Sequence, residues 1–423
     1  RNFTGSVVVV TGSSSGIGEG IVKLFSILGA NVVVTGTTAT KVQRVAKEVK
    51  MFGPALPAAK AGINMLTEIL ALELGPKGIR VNAISPGIIH VTEPPNLLEK
   101  LVPKYTPLGR VGQPLDIARA VAFLASTDAH FITGANVVVD GGLVYNAGVL
   151  NTFADYPIED YKVVAKSRDF TGKVILVTGS SSGIGEGIVK LFSILGANVV
   201  VCGTTATKVQ RVAKEVQELS PLKLKPLEVV GDLTKTSDVN NLIDSTIKTF
   251  GKIDVLVNNA GIYPLTNITQ PDLLSVWDKI FAVDLRAVVE LIHRSVPHLE
   301  KTNGTIIDIS SVASMTPVKF ELAYSSAKAG MDMLTKILAL ELGPKNIRVN
   351  TINPGIIHVG DPPSPIEVFA SKYIPLGRVG QPLDIGCAVA FLASTDAQFI
   401  TGANVVVDGG IIFNVGVANT LNI

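Results

Sequence analysis

The sequence predicts an α/β protein whose parallel sheet is covered by helices on both faces. Of its 423 residues, 47% are apolar and only 17% are charged, a composition that suits strands buried on both sides. Short apolar runs alternate with segments whose apolar residues recur every three or four positions. This alternation of strand and helix patterns is typical of a doubly wound parallel sheet.

Seven apolar runs in the second half of the chain are the strand candidates. A segment between two of them carries Val239, Leu242, Ile243 and Ile247 at helical spacing. Seven strands within about 250 residues make a complete doubly wound domain. The candidates are Val174–Val177, Val199–Val201, Leu227–Val230, Val255–Val257, Thr305–Ile309, Arg348–Ile352 and Asn404–Val407.

The chain contains one domain-sized internal duplication. Residues 10–34 and 177–201 are identical, which is an offset of 167 residues. Downstream, Lys60 corresponds to Lys328, an offset of 268, so the first copy lacks 101 residues between its matching blocks. We interpret residues 1–153 as a truncated first copy, 154–167 as a linker and 168–423 as a complete second copy.

A glycine- and serine-rich turn follows the first strand of the second copy. Gly179, Gly183 and Gly185 lie within the sequence TGSSSGIG at 178–185, directly before a helical pattern. Glycines permit a tight turn and a close approach of the backbone to a ligand, and N–H groups at a helix start favour a pyrophosphate. Such a turn is often only a turn, but its place between a strand and a helix favours a dinucleotide site.

Two further signals lie at the ends of later strands. The sequence NNAG, from Asn258 to Gly261, follows the fourth strand, where small residues let a flat ring lie against the backbone. Asp232 follows the third strand and could accept a hydrogen bond from an adenine amino group. Taken singly, each of these motifs is more often an ordinary loop than a ligand contact.

The pair Tyr324 and Lys328 points to acid–base chemistry. Four residues apart at a helix start, the two side chains project from one face. A nearby ammonium is expected to lower the pKa of the Tyr324 phenol, which is ordinarily too high for a base at neutral pH. Ser311, at an earlier strand end, could hydrogen-bond the reacting oxygen. Alone, a Tyr–Lys pair at this spacing is common on ordinary helices.

Together, in this order, these motifs resemble the short-chain dehydrogenase/reductase family over the whole of 168–423. The resemblance extends to Asn353-Pro354-Gly355 and to the closing stretch that ends in Gly409-Gly410. It implies a Rossmann-like fold. It also implies an oxidoreductase that interconverts a carbonyl, of the ketone or 3-oxoacyl type, and an alcohol by hydride transfer with a nicotinamide cofactor.

The same resemblance implies roles for individual residues. Tyr324 would be the acid and base, Lys328 would hold the nicotinamide ribose, and Ser311 would position the carbonyl. The implied cofactor-binding residues are Gly179, Ser181, Ser182, Gly183, Ile184, Gly185, Thr204, Thr205, Asp232, Leu233, Asn258, Ala260, Gly261, Tyr324, Lys328, Pro354, Gly355 and Ile357.

The sequence departs from the family pattern at two positions near this site. Asp284 stands where the family usually has Asn, and we include it among the predicted catalytic residues. An Asp keeps an acceptor oxygen but loses the amide donors, and it could place a negative charge near Lys328. Val359 replaces a Thr and removes one hydroxyl contact to the cofactor. These departures leave open an alternative function, a non-catalytic nicotinamide-binding pseudoenzyme or scaffold protein.

The end of the second strand bears on the choice of cofactor. Relatives that use NAD carry an acidic residue there, whereas this chain has Gly203, followed by Thr204 and Thr205, with Lys208 nearby. No carboxylate would repel a 2′-phosphate, and the hydroxyls could bind it. We therefore predict NADP(H) rather than NAD(H).

The first copy lacks the catalytic segment. Leu56 stands opposite Tyr324, and the stretch equivalent to Ser311 and Asn258 is missing. In the family's strand order the missing strands would be central, so this copy would need new pairings or would expose strand edges. Two interpretations remain: a pseudo-domain packed against the second copy like a dimer partner, or an incomplete gene model without an evolved role. We slightly favour the second.

Composition excludes several other classes of function. A net charge of +2, from 37 basic and 35 acidic residues without long runs, predicts neither nucleic acid nor an anionic membrane as partner. Two cysteines are too few for a disulfide framework and fit a reducing compartment. The histidines lack the spacing of metal ligands, so we predict no metal site.

The remaining expectations concern location and partners. No apolar stretch is long enough for a membrane span, and residues 1–5 lead straight into a strand, so we expect no secretory signal. These points predict a cytoplasmic protein, although organelle targeting stays open because the chain begins at Arg1. The loop Ile356–Tyr373 is rich in bulky apolar residues and hints at an apolar small-molecule substrate, but a loop that packs on its own domain explains these residues equally well. We also expect a homo-oligomer or an intrachain pseudo-dimer.

Overall fold

The computed structural model describes residues 3–13, 16–34, 55–90, 99, 106–143, 167–360 and 362–414. The predicted linker therefore lies outside the described residues, apart from Ser167, and so does the side chain of Leu56. Within the described ranges the strands are β1 Val7–Val10, β2 Asn31–Val34, β3 Ala83–Pro86, β4 Asn136–Val139, β5 Val174–Val177, β6 Asn198–Gly203, β7 Leu227–Val230, β8 Val255–Asn258, β9 Thr305–Ile309, β10 Arg348–Pro354 and β11 Asn404–Val407.

The helices of the same ranges fall between these strands. They are α1 Gly16–Ile27, α2 Ala55–Leu74, α3 Pro114–Ala125, α4 Gly183–Ile194, α5 Ala206–Leu219, α6 Thr236–Phe250, α7 Leu273–Phe281, α8 Ala287–Leu299, α9 Leu322–Leu342, α10 Pro365–Ala370 and α11 Pro382–Ala393. A π-helical turn, Ala282–Arg286, joins α7 to α8. Short 3-10 turns include Thr127–Ala129, Val312–Ser314 and Thr395–Ala397.

The second copy forms one seven-stranded sheet, as predicted. Its order is β11-β10-β9-β8-β5-β6-β7, and every neighbouring pair is parallel. The chain moves outward from β5 to β7 and then returns to place β8 on the other side of β5. A ligand crevice forms at the carboxyl ends of the strands where the order reverses in this way.

Alternate residues of the central strands pack into two separate layers. Val177, Val201 and Val257 belong to the core that includes Phe192 of α4. Leu176 and its neighbours across the sheet belong to the opposite core, which α6 and α8 cover. Since successive side chains of a strand point to opposite faces, both faces of the sheet must be apolar. This explains the nearly continuous apolar runs of β5 and β6.

The first copy forms two separate two-stranded parallel sheets, β1–β2 and β3–β4. The strands that would join them belong to the missing segment. Val7 and Val9 of β1 are 68% and 62% exposed, whereas the equivalent Val174 and Leu176 of the second copy are 1% and 0% exposed. Apolar side chains of β1 are therefore left uncovered in the first copy.

The two copies pack against each other through equivalent surfaces. Phe123 and Phe391 occupy equivalent positions, and their rings stack with centroids 3.9 Å apart and planes inclined by 2°. The N–H of Gly141 donates to the carbonyl of Phe399 at 3.0 Å, and the N–H of Gly409 donates to the carbonyl of Phe131 at 3.0 Å. Such reciprocal contacts define an isologous interface, here between two parts of one chain.

The described residues contain neither a membrane-spanning helix nor a cluster of metal ligands. No helix in these ranges is both long and apolar enough to cross a membrane. No group of three or more potential metal ligands comes together in the same part of the chain.

Candidate active site

The predicted catalytic residues of the second copy meet on the wall of one cavity. Ser311, Tyr324, Lys328 and Asp284 all line this cavity, which has a volume of about 670 Å³. It opens at the carboxyl ends of the strands, between the glycine turn and the loop after β10. The spacing read from the sequence therefore brings these four side chains together.

Tyr324 lies in the first turn of α9 and Lys328 one turn later. The hydroxyl of Ser311 accepts a hydrogen bond from the N–H of Ala313 at 3.1 Å, and its interaction with the Tyr324 hydroxyl opposes the rise of the Tyr324 pKa. The ammonium of Lys328 is buried, donates to the carbonyl of Ile309 at 3.0 Å, and lies 5.6 Å from the centre of the Tyr324 ring. Ser311 and Tyr324 could therefore hold one substrate oxygen between them.

Asp284 forms a buried ion pair with Lys328. It lies in the π-helical turn and is fully buried, and such turns are frequent at functional sites. Its Oδ1 accepts a hydrogen bond from the N–H of Ile262 at 2.9 Å, and its Oδ2 is 3.3 Å from the Lys328 ammonium. Burial raises the pKa of Asp284, and the charge of Lys328 opposes that rise.

The expected lowering of the Tyr324 pKa by Lys328 is wrong for this arrangement. Burial raises the pKa of Tyr324, and the negative charge of Asp284 raises it further, while the hydrogen bond with Ser311 lowers it. The ammonium of Lys328 is held by Asp284 rather than by the phenol. Tyr324 is therefore protonated at neutral pH.

The glycine turn has the geometry of a cradle for a phosphate-bearing cofactor. Gly179 and Gly183 have φ values of 63° and 57°, which favour glycine. A Cβ atom on Gly185 would lie 2.6 Å from the carbonyl oxygen of Gly179, so a side chain is excluded there. Ser182 precedes α4 without capping it through its side chain, so the first N–H groups of that helix are available to a ligand. The residues of the turn therefore fit a dinucleotide.

The predicted cofactor residues fall into two groups. One group lines the cavity, and the other group lies outside its lining. Those that line the cavity are Ile184, Gly261, Tyr324, Lys328, Pro354, Gly355 and Ile357. Those outside the lining are Gly179, Ser181, Ser182, Gly183, Gly185, Thr204, Thr205, Asp232, Leu233, Asn258 and Ala260.

Three side chains of the second group are engaged elsewhere. The amide of Asn258 is buried and donates to Asp308 at 2.8 Å, and Leu233 packs against the apolar core. The carboxylate of Asp232 accepts hydrogen bonds from the N–H and hydroxyl of Thr234, which lower its pKa. For Asn258 and Leu233 this leaves the backbone, rather than the side chain, to contact a cofactor.

The end of β6 explains the glycine at 203. A Cβ atom on Gly203 would collide with the hydroxyl of Ser181, so no acidic side chain fits at this position without a shift. Thr204 and Thr205 are exposed directly before α5, and Thr205 does not cap that helix through its side chain. Both hydroxyls are therefore accessible at a helix start.

Sequence reasoning missed several residues of the cavity wall. Tyr263 donates a hydrogen bond to Glu321, and its ring meets that of Tyr324 edge-on with centroids 4.8 Å apart. Glu321 is buried, which raises its pKa. Glu367 also lines the cavity and is 2.7 Å from Nδ1 of His358. The only available signal was proximity in sequence, since Glu321 lies one helical turn before Tyr324.

Comparisons with known proteins identify the family of this chain. A family model described as enoyl-(acyl carrier protein) reductase matches residues 52–144 and 179–412. A second model, described as short chain dehydrogenase, matches residues 6–56. The chain belongs to the short-chain dehydrogenase/reductase family, whose members are NAD(P)-dependent oxidoreductases acting on alcohol and carbonyl groups.

Two curated relatives illustrate the match. An uncharacterized short-chain type dehydrogenase/reductase of Sinorhizobium fredii is 32% identical over 375 residues, which cover 85% of this chain and 66% of that protein. The chain thus spans slightly less than two thirds of that relative. The 3-oxoacyl-[acyl-carrier-protein] reductase of Thermotoga maritima is 34% identical over 248 residues, which cover 57% of this chain and 98% of that protein.

Two solved structures are similar in fold and sequence. A 7α-hydroxysteroid dehydrogenase complexed with NADH and 7-oxo glycochenodeoxycholic acid has a TM-score of 0.55 and 32% identity, covering 58% of this chain and 96% of its own. An L-sorbose reductase of Gluconobacter frateurii complexed with NADPH and L-sorbose has a TM-score of 0.54 and 30% identity, covering 58% and 98%. Both forms of the cofactor thus occur among similar proteins.

The ion pair of Asp284 leads to a prediction about pH. Replacing Asp284 by Asn removes the negative charge that raises the pKa of Tyr324. The pH profile of alcohol oxidation, which needs the phenolate, should then move to lower pH by about one unit. Asp254→Asn serves as the control, because it removes a buried carboxylate at the amino end of β8, away from the cavity. We expect this variant to leave the pH profile unchanged. An unchanged profile in Asp284→Asn would show that its charge does not control Tyr324.

Proposed function

We propose that residues 168–423 interconvert a ketone and an alcohol with NADP(H), with Tyr324 as the proton donor during reduction. The observation that carries the proposal is the convergence of Ser311, Tyr324 and Lys328 on one cavity wall beside the glycine turn. Relatives that act on 3-oxoacyl, steroid and sugar carbonyls support the reaction class.

In the reductive direction the protein's residues handle the substrate oxygen and its proton. Ser311 donates a hydrogen bond to the carbonyl oxygen and holds it beside Tyr324. Tyr324 donates its proton to that oxygen as negative charge develops on it. When bound, the reduced nicotinamide supplies the hydride that adds to the carbonyl carbon. The reverse reaction needs Tyr324 to accept a proton, so it requires the phenolate and is favoured at higher pH.

Each part of the cofactor has a group of residues that fits it. The N–H groups at the start of α4 fit the pyrophosphate, and Lys328 is within the cavity where it can bind a ribose hydroxyl. Thr204 and Thr205 fit the 2′-phosphate of NADP(H), because they offer hydroxyls beside a helix start and no carboxylate.

The cavity favours a neutral substrate with an apolar body. Its walls include the apolar side chains of Ile262, Val312, Ile356 and Phe369. Among the described residues that line it, the only Lys or Arg is Lys328, whose charge is matched by Asp284. A substrate carboxylate would therefore meet negative charge without a spare cation.

Glu321 and Glu367 differ in the group that each carboxylate contacts. Glu367 is paired with His358, whereas the hydrogen-bond donor to Glu321 is the neutral phenol of Tyr263. Burial, the carboxylate of Glu321 and the hydrogen bond to it raise the pKa of Tyr263, so this phenol stays protonated at neutral pH. Glu321 is therefore the carboxylate that a charged substrate would sense most strongly.

The alternative is a non-catalytic nicotinamide-binding protein, and the buried Asp284–Lys328 pair is the observation in its favour. A pair that holds Lys328 and keeps Tyr324 protonated could stop turnover altogether. Measurable carbonyl reduction by the wild-type chain rules this alternative out. Turnover that appears only in Asp284→Asn would support it.

Tyr324→Phe tests the assigned proton donor. Removing this hydroxyl should lower kcat by about 10²- to 10⁴-fold, while the Kd for NADPH stays unchanged. The measurement is NADPH oxidation with a carbonyl panel, together with cofactor titration. Tyr373→Phe, which removes another hydroxyl from the same cavity wall, should retain most of the rate. A fully active Tyr324→Phe variant would contradict the mechanism.

Thr204→Asp tests the choice of cofactor. A carboxylate at this exposed position should repel a 2′-phosphate and raise the KM for NADPH about tenfold, the equivalent of about 1.4 kcal/mol. The KM for NADH should change little. Thr204→Asn provides an uncharged control of the same size. A wild-type preference for NADH, or equal effects of Asp and Asn, would contradict NADP(H) as the cofactor.

Glu321→Gln tests the charge preference of the cavity. The wild-type chain should reduce a neutral cyclic ketone with a lower KM than the same ketone bearing a ring carboxylate. The ratio of the KM for the charged ketone to the KM for the neutral one should fall by about fivefold or more when the charge of Glu321 is removed. Glu367→Gln, which removes a carboxylate already in contact with the imidazole of His358, should reduce that ratio less. A carboxylate-bearing substrate preferred by the wild-type chain would contradict this account of the cavity.

A further inference from the structure

Phe131 of the first copy is buried in the second copy. It follows the 3-10 turn Thr127–Ala129 and is only 1% exposed. Its ring lies against two glycines, since a Cβ atom on Gly380 would be 2.6 Å from Cε1 of Phe131 and one on Gly409 would be 2.5 Å from Cε2. The guanidinium of Arg378 covers the ring at 4.6 Å from its centroid. The second copy thus holds a fitted recess for this ring.

Gly380, on one side of the Phe131 ring, connects this ring to the loop Ile356–Tyr373. A Cβ atom on Gly380 would also collide with Ile357, so the side chain of Ile357 lies beside the ring of Phe131. Ile357 lines the catalytic cavity. The backbone keeps this arrangement, because the N–H of Gly380 donates to the carbonyl of Ile356 at 2.9 Å.

Gly409, on the other side of the ring, connects it to the segment that follows β11. Gly409 donates its N–H to the carbonyl of Phe131 at 3.0 Å, and its turn continues into Ile411 and Asn414, which line the cavity. Asn414 in turn donates to the carbonyl of Tyr373 at 2.8 Å, another residue of the cavity wall. The ring of Phe131 therefore supports two segments that shape the substrate site.

We propose that Phe131 is a positioning residue for the substrate cavity, and that the truncated first copy acts as a built-in partner of the catalytic domain. Without this ring, Gly380 and Gly409 would border an empty space, and the segments bearing Ile357 and Ile411 could move into it. The inference rests on the carbonyl-reducing function proposed above.

The internal symmetry of the chain supplies a matched control. Phe399 of the second copy is the equivalent of Phe131 and is equally buried, at 1% exposed. It lies against Gly112 and Gly141 of the first copy, and Arg110 covers it at 4.5 Å. The two rings thus have similar surroundings, but the first copy has no equivalent of Tyr324 or Ser311.

The test compares Phe131→Ala with Phe399→Ala in the full chain. Phe131→Ala should lower kcat/KM for the ketone about tenfold or more, mainly through KM, because small displacements of positioning groups can cost up to about 100-fold. Phe399→Ala should retain kcat/KM within about twofold of wild type, and both variants should keep the Kd for NADPH. Phe131→Leu, which refills most of the recess, should restore much of the activity.

Three other results would contradict the positioning role of Phe131. Equal losses in the two alanine variants would show that the interface matters only for stability, and an unaffected Phe131→Ala would show that the ring does not shape the cavity. If Phe131→Ala does not fold, Phe131→Leu and Phe399→Leu carry the same comparison. A wild-type chain without carbonyl-reducing activity would contradict the proposed function itself and overturn this positioning role with it.

Discussion

The shared direction of the strands in the second copy is the constraint on which the site depends. Because β5, β8, β9 and β10 are parallel neighbours, the segments that follow them meet at one edge of the sheet. These segments carry the glycine turn, the sequence NNAG, Ser311 and the Pro354-Gly355 pair. A register slip by one residue would exchange the two buried faces of a strand, so core packing also fixes the site.

The pair of Lys328 and Asp284 sets the electrostatics within this frame. Both side chains are almost fully buried, so each depends on the other for compensation of its charge. Burial and the negative charge of Asp284 together raise the pKa of Tyr324, so the phenol keeps its proton at neutral pH. In the proposed reaction this state suits reduction of a carbonyl, whereas oxidation of an alcohol first requires the loss of that proton.

Local patterns predicted the seven strands of the second copy and the candidate residues Ser311, Tyr324 and Lys328. Apolar runs mark β5 and β6 most clearly, whereas β9 and β10 also carry buried polar residues. The contact of Tyr263 with Glu321 could not be predicted, because it joins residues that are distant in sequence. The rise of the Tyr324 pKa could not be predicted either, because it follows from burial and from the charge of Asp284, both of which depend on the tertiary structure.

The packing of the first copy against the second could not be predicted from the sequence, because it depends on contacts between residues that are distant in sequence. Phe131 and Phe399 are ordinary apolar residues until the fold places each against two glycines of the opposite copy. The reciprocal contacts favour the interpretation of the first copy as a packed pseudo-domain, which the sequence alone did not favour.

The most direct measurement is the pH dependence of the wild-type reaction in both directions, with a neutral cyclic ketone and its alcohol. The account predicts that ketone reduction stays nearly constant from neutral to moderately alkaline pH, because Tyr324 keeps its proton. Alcohol oxidation should instead rise throughout that range as the phenolate forms. An oxidation rate that is already maximal at neutral pH would show that Tyr324 ionises readily there, and would contradict the assigned role of the Asp284–Lys328 pair.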